Sequence, residues 1–242
     1  MHPVDGAWSS LIADLAASRA RAYLNLVQHI LVYSDSLSWG IIPGTRRRLD
    51  FDARWPGVLE SALNVGARPV RVIEDCLNGR RTVWEDPFKP GRNGLTGLAQ
   101  RIEIHSPLAL VILMLGTNDF QSMHPHTAWH AALGIGTLIG AVRQAPIEPG
   151  MPVPPILVIA PPRLTEARGV IARKFGGAAE KSTDLAAAYR DISTELGCPF
   201  FDAGDVVQAS PVDGIHLDAD QHEVLGKSLA AFVAALPLAP TP

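Results

Sequence analysis

The chain has 242 residues, of which 47% are hydrophobic, and its 21 basic and 24 acidic side chains give a formal net charge of −3. This length and composition predict a single α/β domain with a large buried core. The nearly balanced, mixed charge argues against the basic surface typical of nucleic-acid-binding proteins. Because Cys76 and Cys198 form no C-x-x-C pair, we expect neither a disulfide framework nor a thiolate zinc site.

The first thirty residues and the two ends of the chain set the predicted domain limits. Charged residues interrupt the apolar positions near the start, and no apolar run reaches about eighteen residues, so we expect no signal peptide, no membrane partner and a cytoplasmic location. Residues 9–27 have helical spacing. The sequence therefore predicts a helical extension over residues 1–28, a main domain over 29–236 and a frayed tail over 237–242.

Short apolar runs alternate with helical patterns along the main domain. The runs predict strands at His29–Tyr33, Val70–Glu74, Leu108–Leu115, Ile156–Ala160 and Pro199–Phe201. The helical patterns cover Pro56–Leu63, Leu95–His105, Thr127–Arg143, Ala178–Leu196 and Ala219–Leu236. This alternation predicts a three-layer α/β/α fold with a five-stranded parallel, flavodoxin-like sheet of order 2-1-3-4-5. Ligands bind beyond the carboxyl ends of such strands, so the residues after each run are site candidates.

Those residues include a possible nucleophile and its partners. A serine hydroxyl needs an adjacent base, and the base needs a group that fixes its orientation. Ser36 follows the first strand, and Asp213 lies three residues before His216, so that its carboxylate can meet the imidazole. The backbone N–H groups of Ser36 and Gly79 and the amide of Asn118 follow three different strands and can converge on an oxyanion. The sequence therefore predicts a serine hydrolase.

These motifs resemble those of the SGNH (GDSL-type) hydrolases, over roughly residues 29 to 236. The resemblance rests on Asp35-Ser36-Leu37, Gly116-Thr-Asn-Asp119 and Asp213-Gly-Ile-His216. It implies a catalytic triad of Ser36, Asp213 and His216 and an oxyanion hole of Ser36, Gly79 and Asn118, with no cofactor. The family usually has glycine at the position of Ser34; serine fits there if its φ is negative, but it could also twist the nucleophile loop.

Six further stretches resemble the bacterial arylesterase/acyltransferase branch of that family. They are Asp35-Ser-Leu-Ser-Trp-Gly40, Arg54-Trp-Pro-Gly57, Glu85-Asp-Pro87, Arg92-Asn-Gly94, Met114-Leu-Gly-Thr-Asn-Asp119 and Phe200-Phe-Asp-Ala-Gly204. The resemblance implies hydrolysis of small short-chain acetyl or aryl esters through an acyl-enzyme, acyl transfer to alcohols, and homo-oligomers. A carbohydrate O-deacetylase, a thioesterase and a non-catalytic ligand-binding relative remain alternatives.

The other residues of interest are candidates for lining the substrate pocket, for binding a metal ion, or for forming surface loops. We expect Asp35 and Trp39 to border the substrate pocket, and for Asp35 the sequence favours a structural role as the cap of the following turn. His124, His126 and His130 lack the glutamate of an H-E-x-x-H motif, so no metal is expected. Two Pro/Gly-rich loops, Trp84–Gly94 and Ala145–Pro155, predict contacts that narrow the cleft in a homo-oligomer, and the basic run Arg46–Arg48 predicts a solvated loop.

Overall fold

A five-stranded parallel sheet organises the described part of the chain. The computed structural model describes residues 27–66 and 69–239, so the helix predicted over residues 9–27 lies outside the described residues apart from Val27. The strands are β1 (Gln28–Ser34), β2 (Val70–Cys76), β3 (Leu110–Met114), β4 (Ile156–Ala160) and β5 (Phe200–Asp202). The pairings between these five strands are all parallel and the order is β2-β1-β3-β4-β5, which confirms the predicted flavodoxin-like topology.

Helices cover both faces of this sheet. They are α1 (Ser36–Trp39), α2 (Trp55–Leu63), α3 (Leu98–His105), α4 (Ala128–Arg143), α5 (Ala178–Lys181), α6 (Leu185–Glu195) and α7 (Ala219–Ala234). Successive residues of β3 point to opposite faces: Leu110 and Ile112 pack with α2 and α7, whereas Val111 and Leu113 pack with α3, α4 and α6. The central strands are therefore buried on both sides, as their continuous apolar runs predict.

The helix predicted over Ala178–Leu196 is divided in two. The segment Ser182–Asp184 separates α5 from α6. The hydroxyl groups of Ser182 and Thr183 donate to the carbonyl oxygen of Ala179 at 3.2 and 3.3 Å. Serine, threonine and aspartate compete in this way for backbone groups and favour helix ends over helix interiors, which explains the break.

The two long loops lie at opposite edges of the sheet. Trp84–Gly94 follows β2 at the carboxyl edge, whereas Ala145–Pro155 leads into β4 at the amino edge. Ala145 and Ile147 of the second loop pack against the core, and within one copy of the described chain the first loop, through Lys89, borders the cleft and the second does not. In the segment predicted to fray, Ala239 is buried and its N–H donates to Ala109 at 3.0 Å; residues 240–242 lie outside the described part.

Two glycines of α4 have contrasting surroundings. A Cβ atom on Gly134 would lie 2.2 Å from Thr82 Oγ1 and 2.6 Å from Thr82 Cβ, whereas a Cβ on Gly140 would meet nothing within 4 Å. The close approach of α4 to the segment after β2 therefore requires glycine at position 134. Nothing in the described packing requires it at position 140.

This contrast gives a matched stability prediction. Gly134→Ala should lower the free energy of unfolding by about 1–3 kcal/mol, because the added methyl group must displace Thr82. Gly140→Ala should raise it by up to about 1 kcal/mol, because alanine favours the helix. Urea denaturation of both variants measures the difference. Equal shifts in the two variants would show that Thr82 does not restrict position 134.

Candidate active site

Ser36 begins a short helix directly after the central strand β1. The carboxylate of Asp35 caps this helix, its Oδ1 atom accepting the N–H of Leu37 at 2.9 Å. The cap turns the chain sharply at the carboxyl edge of the sheet and leaves the Ser36 hydroxyl facing a cleft. Ser36 is 6% exposed, so its hydroxyl lies at the bottom of that cleft and not on the outer surface.

A chain of buried hydroxyl groups lies beneath the Ser36 helix. Trp55 Nε1 donates to Ser38 Oγ at 3.1 Å, Ser38 Oγ donates to Ser34 Oγ at 2.5 Å, and Ser34 Oγ donates to Met114 O at 2.7 Å. No described non-glycine residue has a positive φ, so Ser34 meets the condition for replacing glycine at this position. Its hydroxyl ties the end of β1 to β3 instead of disturbing the turn.

Asp213 forms the turn that presents His216. Its Oδ1 atom accepts the backbone N–H groups of Ile215 at 3.0 Å and His216 at 2.9 Å. Its Oδ2 atom lies 2.8 Å from His216 Nδ1 and accepts the N–H of Gly44 at 3.2 Å. The spacing of three residues therefore lets one carboxylate both close the turn and hold the imidazole.

The imidazole of His216 lies between Asp213 and Ser36. Its Nε2 atom is 3.2 Å from Ser36 Oγ, on the side of the ring opposite to the Nδ1 contact with Asp213. Burial alone would raise the pKa of Asp213, but its hydrogen bonds and the charge of His216 lower that pKa to about 2. A carboxylate that stays ionised next to one ring nitrogen leaves the other nitrogen available to a hydroxyl group.

Gly79 and Asn118 line the same cleft as Ser36 and His216. Gly79 has a φ of +87°, a conformation that favours glycine, in a turn closed by the N–H of Arg80 and the carbonyl of Leu77. Within the described chain, the backbone N–H groups of Ser36 and Gly79 are paired with no acceptor. The structure therefore brings all five residues of the predicted triad and oxyanion hole to one place.

The Asn118 side chain is oriented by partners on both sides. Its Oδ1 atom accepts Gln121 Nε2 at 2.8 Å. Its Nδ2 atom donates to Asp35 Oδ2 at 2.9 Å and to Arg80 O at 3.2 Å. One carboxylate, that of Asp35, thus connects the nucleophile helix to the Asn118 amide.

A fully buried arginine, Arg81, supports this arrangement from below. It donates to Gln121 Oε1 at 2.6 Å, to Asn118 O at 3.2 Å and to Asp86 Oδ2 at 3.2 Å. Burying a charge is costly unless it is paired and hydrogen-bonded, and these three acceptors pair the Nε and Nη2 atoms. The buried Nη1 atom has no hydrogen-bond partner in the described chain. Arg81 and Gln121 were not identified from the sequence; the one available signal was the arginine pair Arg80-Arg81 in the loop after β2.

The structure corrects the expected pocket residues. Asp35 is 0% exposed and lies under the site, and burial raises its pKa to about 6. Trp39 packs under the guanidinium group of Arg48, 4.7 Å from its ring centroid, and does not line the cleft. Capping is therefore the role of Asp35 that the geometry supports. The cleft is instead lined by the apolar residues Ile41, Ile171 and Phe175 and by the basic residues Arg46, Lys89 and Lys174.

Of the three histidines that follow the Asn118 segment, His124 and His126 stack on each other and His126 stacks on Trp84, whereas His130 is tilted against His126. The ring centroids of Trp84 and His126 are 4.1 Å apart, and those of His124 and His126 are 4.7 Å apart. Burial lowers the pKa of His126 to about 4, so that its ring is neutral near pH 7.

Residues 27–66 and 69–239 contain no group of three or more His, Cys, Asp or Glu side chains arranged to hold a metal ion. None of the described helices is both long and apolar enough to cross a membrane.

Comparisons with known proteins identify the class. The model of the GDSL-like lipase/acylhydrolase family matches residues 35–224. An inhibitor-bound aryl esterase from M. smegmatis is 36% identical, with a TM-score of 0.82 over 86% of this chain and 99% of that chain. Est24, a carbohydrate acetylesterase from Sinorhizobium meliloti, is 36% identical, with a TM-score of 0.81 over 86% and 99% of the two chains. A search of curated proteins finds no match.

Fold and comparisons together define a carboxylic ester hydrolase. The chain belongs to the GDSL-like lipase/acylhydrolase family, which confirms the resemblance to the SGNH hydrolases.

The contact between Asp35 and Asn118 gives a kinetic prediction. In Asp35→Asn, the new side chain can still accept the N–H of Leu37, but its amide N–H₂ faces the N–H₂ of Asn118. We expect kcat for ester hydrolysis to fall about 10- to 100-fold through misplacement of the site, with little change in KM. Asp50→Asn, which changes an exposed aspartate with no side-chain capping contact, is the control. An unchanged kcat in Asp35→Asn would show that this contact does not position the site.

Proposed function

We propose that the protein is a serine esterase in which Ser36 is the nucleophile, His216 the general base and Asp213 the residue that orients the base. The observation that carries this proposal is the line of contacts from Ser36 Oγ to His216 Nε2 and from His216 Nδ1 to Asp213 Oδ2, at 3.2 and 2.8 Å. Nucleophile, base and orienting carboxylate are the three parts that acyl transfer through serine requires.

The reaction follows from these positions. Ser36 Oγ attacks the ester carbonyl carbon while His216 Nε2 takes the hydroxyl proton. The resulting oxyanion accepts hydrogen bonds from the backbone N–H groups of Ser36 and Gly79. It also accepts a hydrogen bond from Asn118 Nδ2, where it takes the place of Arg80 O, the more distant of the two acceptors of that atom. His216 then gives the proton to the leaving alcohol. In the acyl-enzyme, a water molecule activated by His216 attacks the carbonyl carbon and releases the carboxylic acid; an alcohol in its place gives acyl transfer.

The size of the cleft supports short acyl groups. The cavity volume is about 80 Å³, and the apolar side chains of Ile41, Ile171 and Phe175 line it. We therefore assign acetyl and other short-chain esters to the site, with aryl alcohols as leaving groups by analogy with the M. smegmatis aryl esterase. The carbohydrate O-deacetylase is the second candidate, since Est24 from Sinorhizobium meliloti is 36% identical.

Removal of the nucleophile tests the proposal. Ser36→Ala should lower kcat for 4-nitrophenyl acetate by roughly 10⁴- to 10⁶-fold, because no other group forms the acyl-enzyme. Ser61→Ala, which changes an exposed serine on α2, should retain the activity of the native enzyme. Steady-state kinetics on protein purified free of host esterases gives the comparison. More than a few per cent of residual activity in Ser36→Ala would exclude Ser36 as the nucleophile.

Asn118→Ala tests the oxyanion assignment separately. We expect kcat to fall by roughly 10²- to 10³-fold with KM nearly unchanged, because the amide stabilises charge that develops only in the transition state. Kinetics with a short-chain ester measures both constants. If the loss appeared in KM alone, Asn118 would be a substrate-binding residue.

A homo-oligomer in the cytoplasm is the assembly and location that we propose for the enzyme. Large apolar side chains adjacent in sequence to cleft residues are exposed, which supports assembly: Phe88, which precedes Lys89, is 83% exposed, and Val170, which precedes Ile171, is 86% exposed. Lys89 and Ile171 themselves line the cleft. A second copy of the chain over these residues would bury them, narrow the entrance and exclude water, which favours acyl transfer to an alcohol.

Mass and chain-length preference test this assembly together. Light scattering after size-exclusion chromatography should give a multiple of the 25.9 kDa monomer mass. The rates for 4-nitrophenyl acetate should exceed those for the octanoate. Phe88→Ser should lower the mass or weaken the chain-length preference. A monomeric native enzyme that prefers octanoate would contradict the proposal.

A further inference from the structure

Three basic side chains line the cleft that contains Ser36. They are Arg46, Lys89 and Lys174, which come from three separate loops and are all exposed. None of them forms an ion pair within 4 Å with any acidic group of the described chain. In the run Arg46–Arg48, by contrast, Arg48 is paired with Glu74 at 3.2 Å, so the basic run is not simply a solvated loop.

Asp86, the acidic residue whose charge acts on both lysines, forms an ion pair with neither of them within the described chain. Asp86 is buried and paired with Arg81, and its Oδ1 atom accepts the backbone N–H groups of Phe88 and Lys89. Partial burial, together with the charges of Arg92 and Arg46, lowers the pKa of Lys89. Partial burial also lowers the pKa of Lys174, with Lys89 and Arg46 contributing and Asp86 opposing. The cations are thus close enough to repel one another, although the chain as a whole has a net charge of −3.

The position of the cations indicates which part of a substrate they meet. The cavity of about 80 Å³ is lined by these cations and also by Ser36, Ile41 and Phe175, which are buried, so we place the short acyl group at the buried end of the cavity, against Ser36. The basic side chains are exposed, so they lie toward the entrance, where the alcohol part of the ester extends. A site that gathers charges of one sign attracts a ligand of the other sign.

We propose that the substrate is a short-chain ester of an alcohol bearing a carboxylate, sulfate or phosphate group, and that Arg46, Lys89 and Lys174 bind this group. The inference rests on the proposed function, because it assigns the substrate class of the same site. Arginine and lysine donate several charge-assisted hydrogen bonds to such anions.

A pair of matched esters tests the inference. The probes are 4-acetoxybenzoate, which is anionic, and its neutral methyl ester. The measured quantity is the ratio of kcat/KM for the anionic ester to kcat/KM for the neutral one, determined for the native enzyme and for Lys89→Gln, Lys174→Gln and the double variant. Comparing this ratio between enzymes cancels the difference in intrinsic reactivity of the two esters. The control Arg173→Gln removes an exposed charge next to Lys174 that does not line the cleft.

We expect each single variant to lower the ratio about 2- to 5-fold and the double variant about 5- to 20-fold, in line with exposed charge pairs. Arg173→Gln should leave it unchanged. Added salt should lower the ratio of the native enzyme, because salt screens exposed charges. A ratio that is the same in the native enzyme and the double variant, and insensitive to salt, would overturn the inference.

Two controls separate this inference from the proposed function. If the neutral ester is hydrolysed by the native enzyme and not by Ser36→Ala, while the ratio does not respond to the lysine variants, the substrate class alone is wrong. If Ser36→Ala hydrolyses both esters, the proposed function itself fails. Equal urea midpoints for the native enzyme and the lysine variants exclude an effect of misfolding.

Discussion

Asp35 and Asp213 each use one carboxylate oxygen to hold a backbone turn and the other to orient a side chain of the site. Oδ1 of Asp213 accepts the N–H groups of Ile215 and His216, while its Oδ2 contacts the imidazole of His216. Oδ1 of Asp35 accepts the N–H of Leu37, while its Oδ2 accepts the amide of Asn118. The same two groups therefore shape the loops and fix the geometry between them.

Burial shifts the pKa values of these two carboxylates to different net extents, because their hydrogen bonds and neighbouring charges differ. Hydrogen bonds and the charge of His216 outweigh burial at Asp213 and lower its pKa to about 2, whereas burial dominates at Asp35 and raises its pKa from 3.8 to about 6. The folded chain therefore binds a proton at Asp35 more tightly than the unfolded chain does. As a result, the contribution of Asp35 to stability decreases as the pH rises from about 4 to about 6. The Asn118 contact is maintained despite this cost.

Local patterns in the sequence predict the fold and the meeting of the site residues, because both depend on short-range features. Apolar runs locate the strands, and their alternation with helices places Ser36, Gly79 and Asn118 at one edge of the sheet. The break at Ser182 was also visible in principle, as a cluster of residues that favour helix ends.

Long-range side-chain contacts could not be predicted in the same way. The donation from Arg81 to Gln121 joins residues forty positions apart, and neither periodicity nor motif spacing indicates it. The buried position of Asp35 likewise depends on Asn118, eighty-three residues away. The basic residues at the cleft come from three loops whose conformations are set by tertiary packing, so the sequence alone predicted a solvated run at Arg46.

Covalent labelling tests the central claim most directly, because it requires an activated serine and does not depend on the choice of ester. The native enzyme would be treated with a fluorophosphonate, and the adduct located by mass spectrometry of its peptides. The account predicts one adduct, on Ser36, whose rate of formation falls strongly in His216→Ala, since the imidazole activates the hydroxyl. An adduct on another residue, or no reaction in the folded native enzyme, would contradict it.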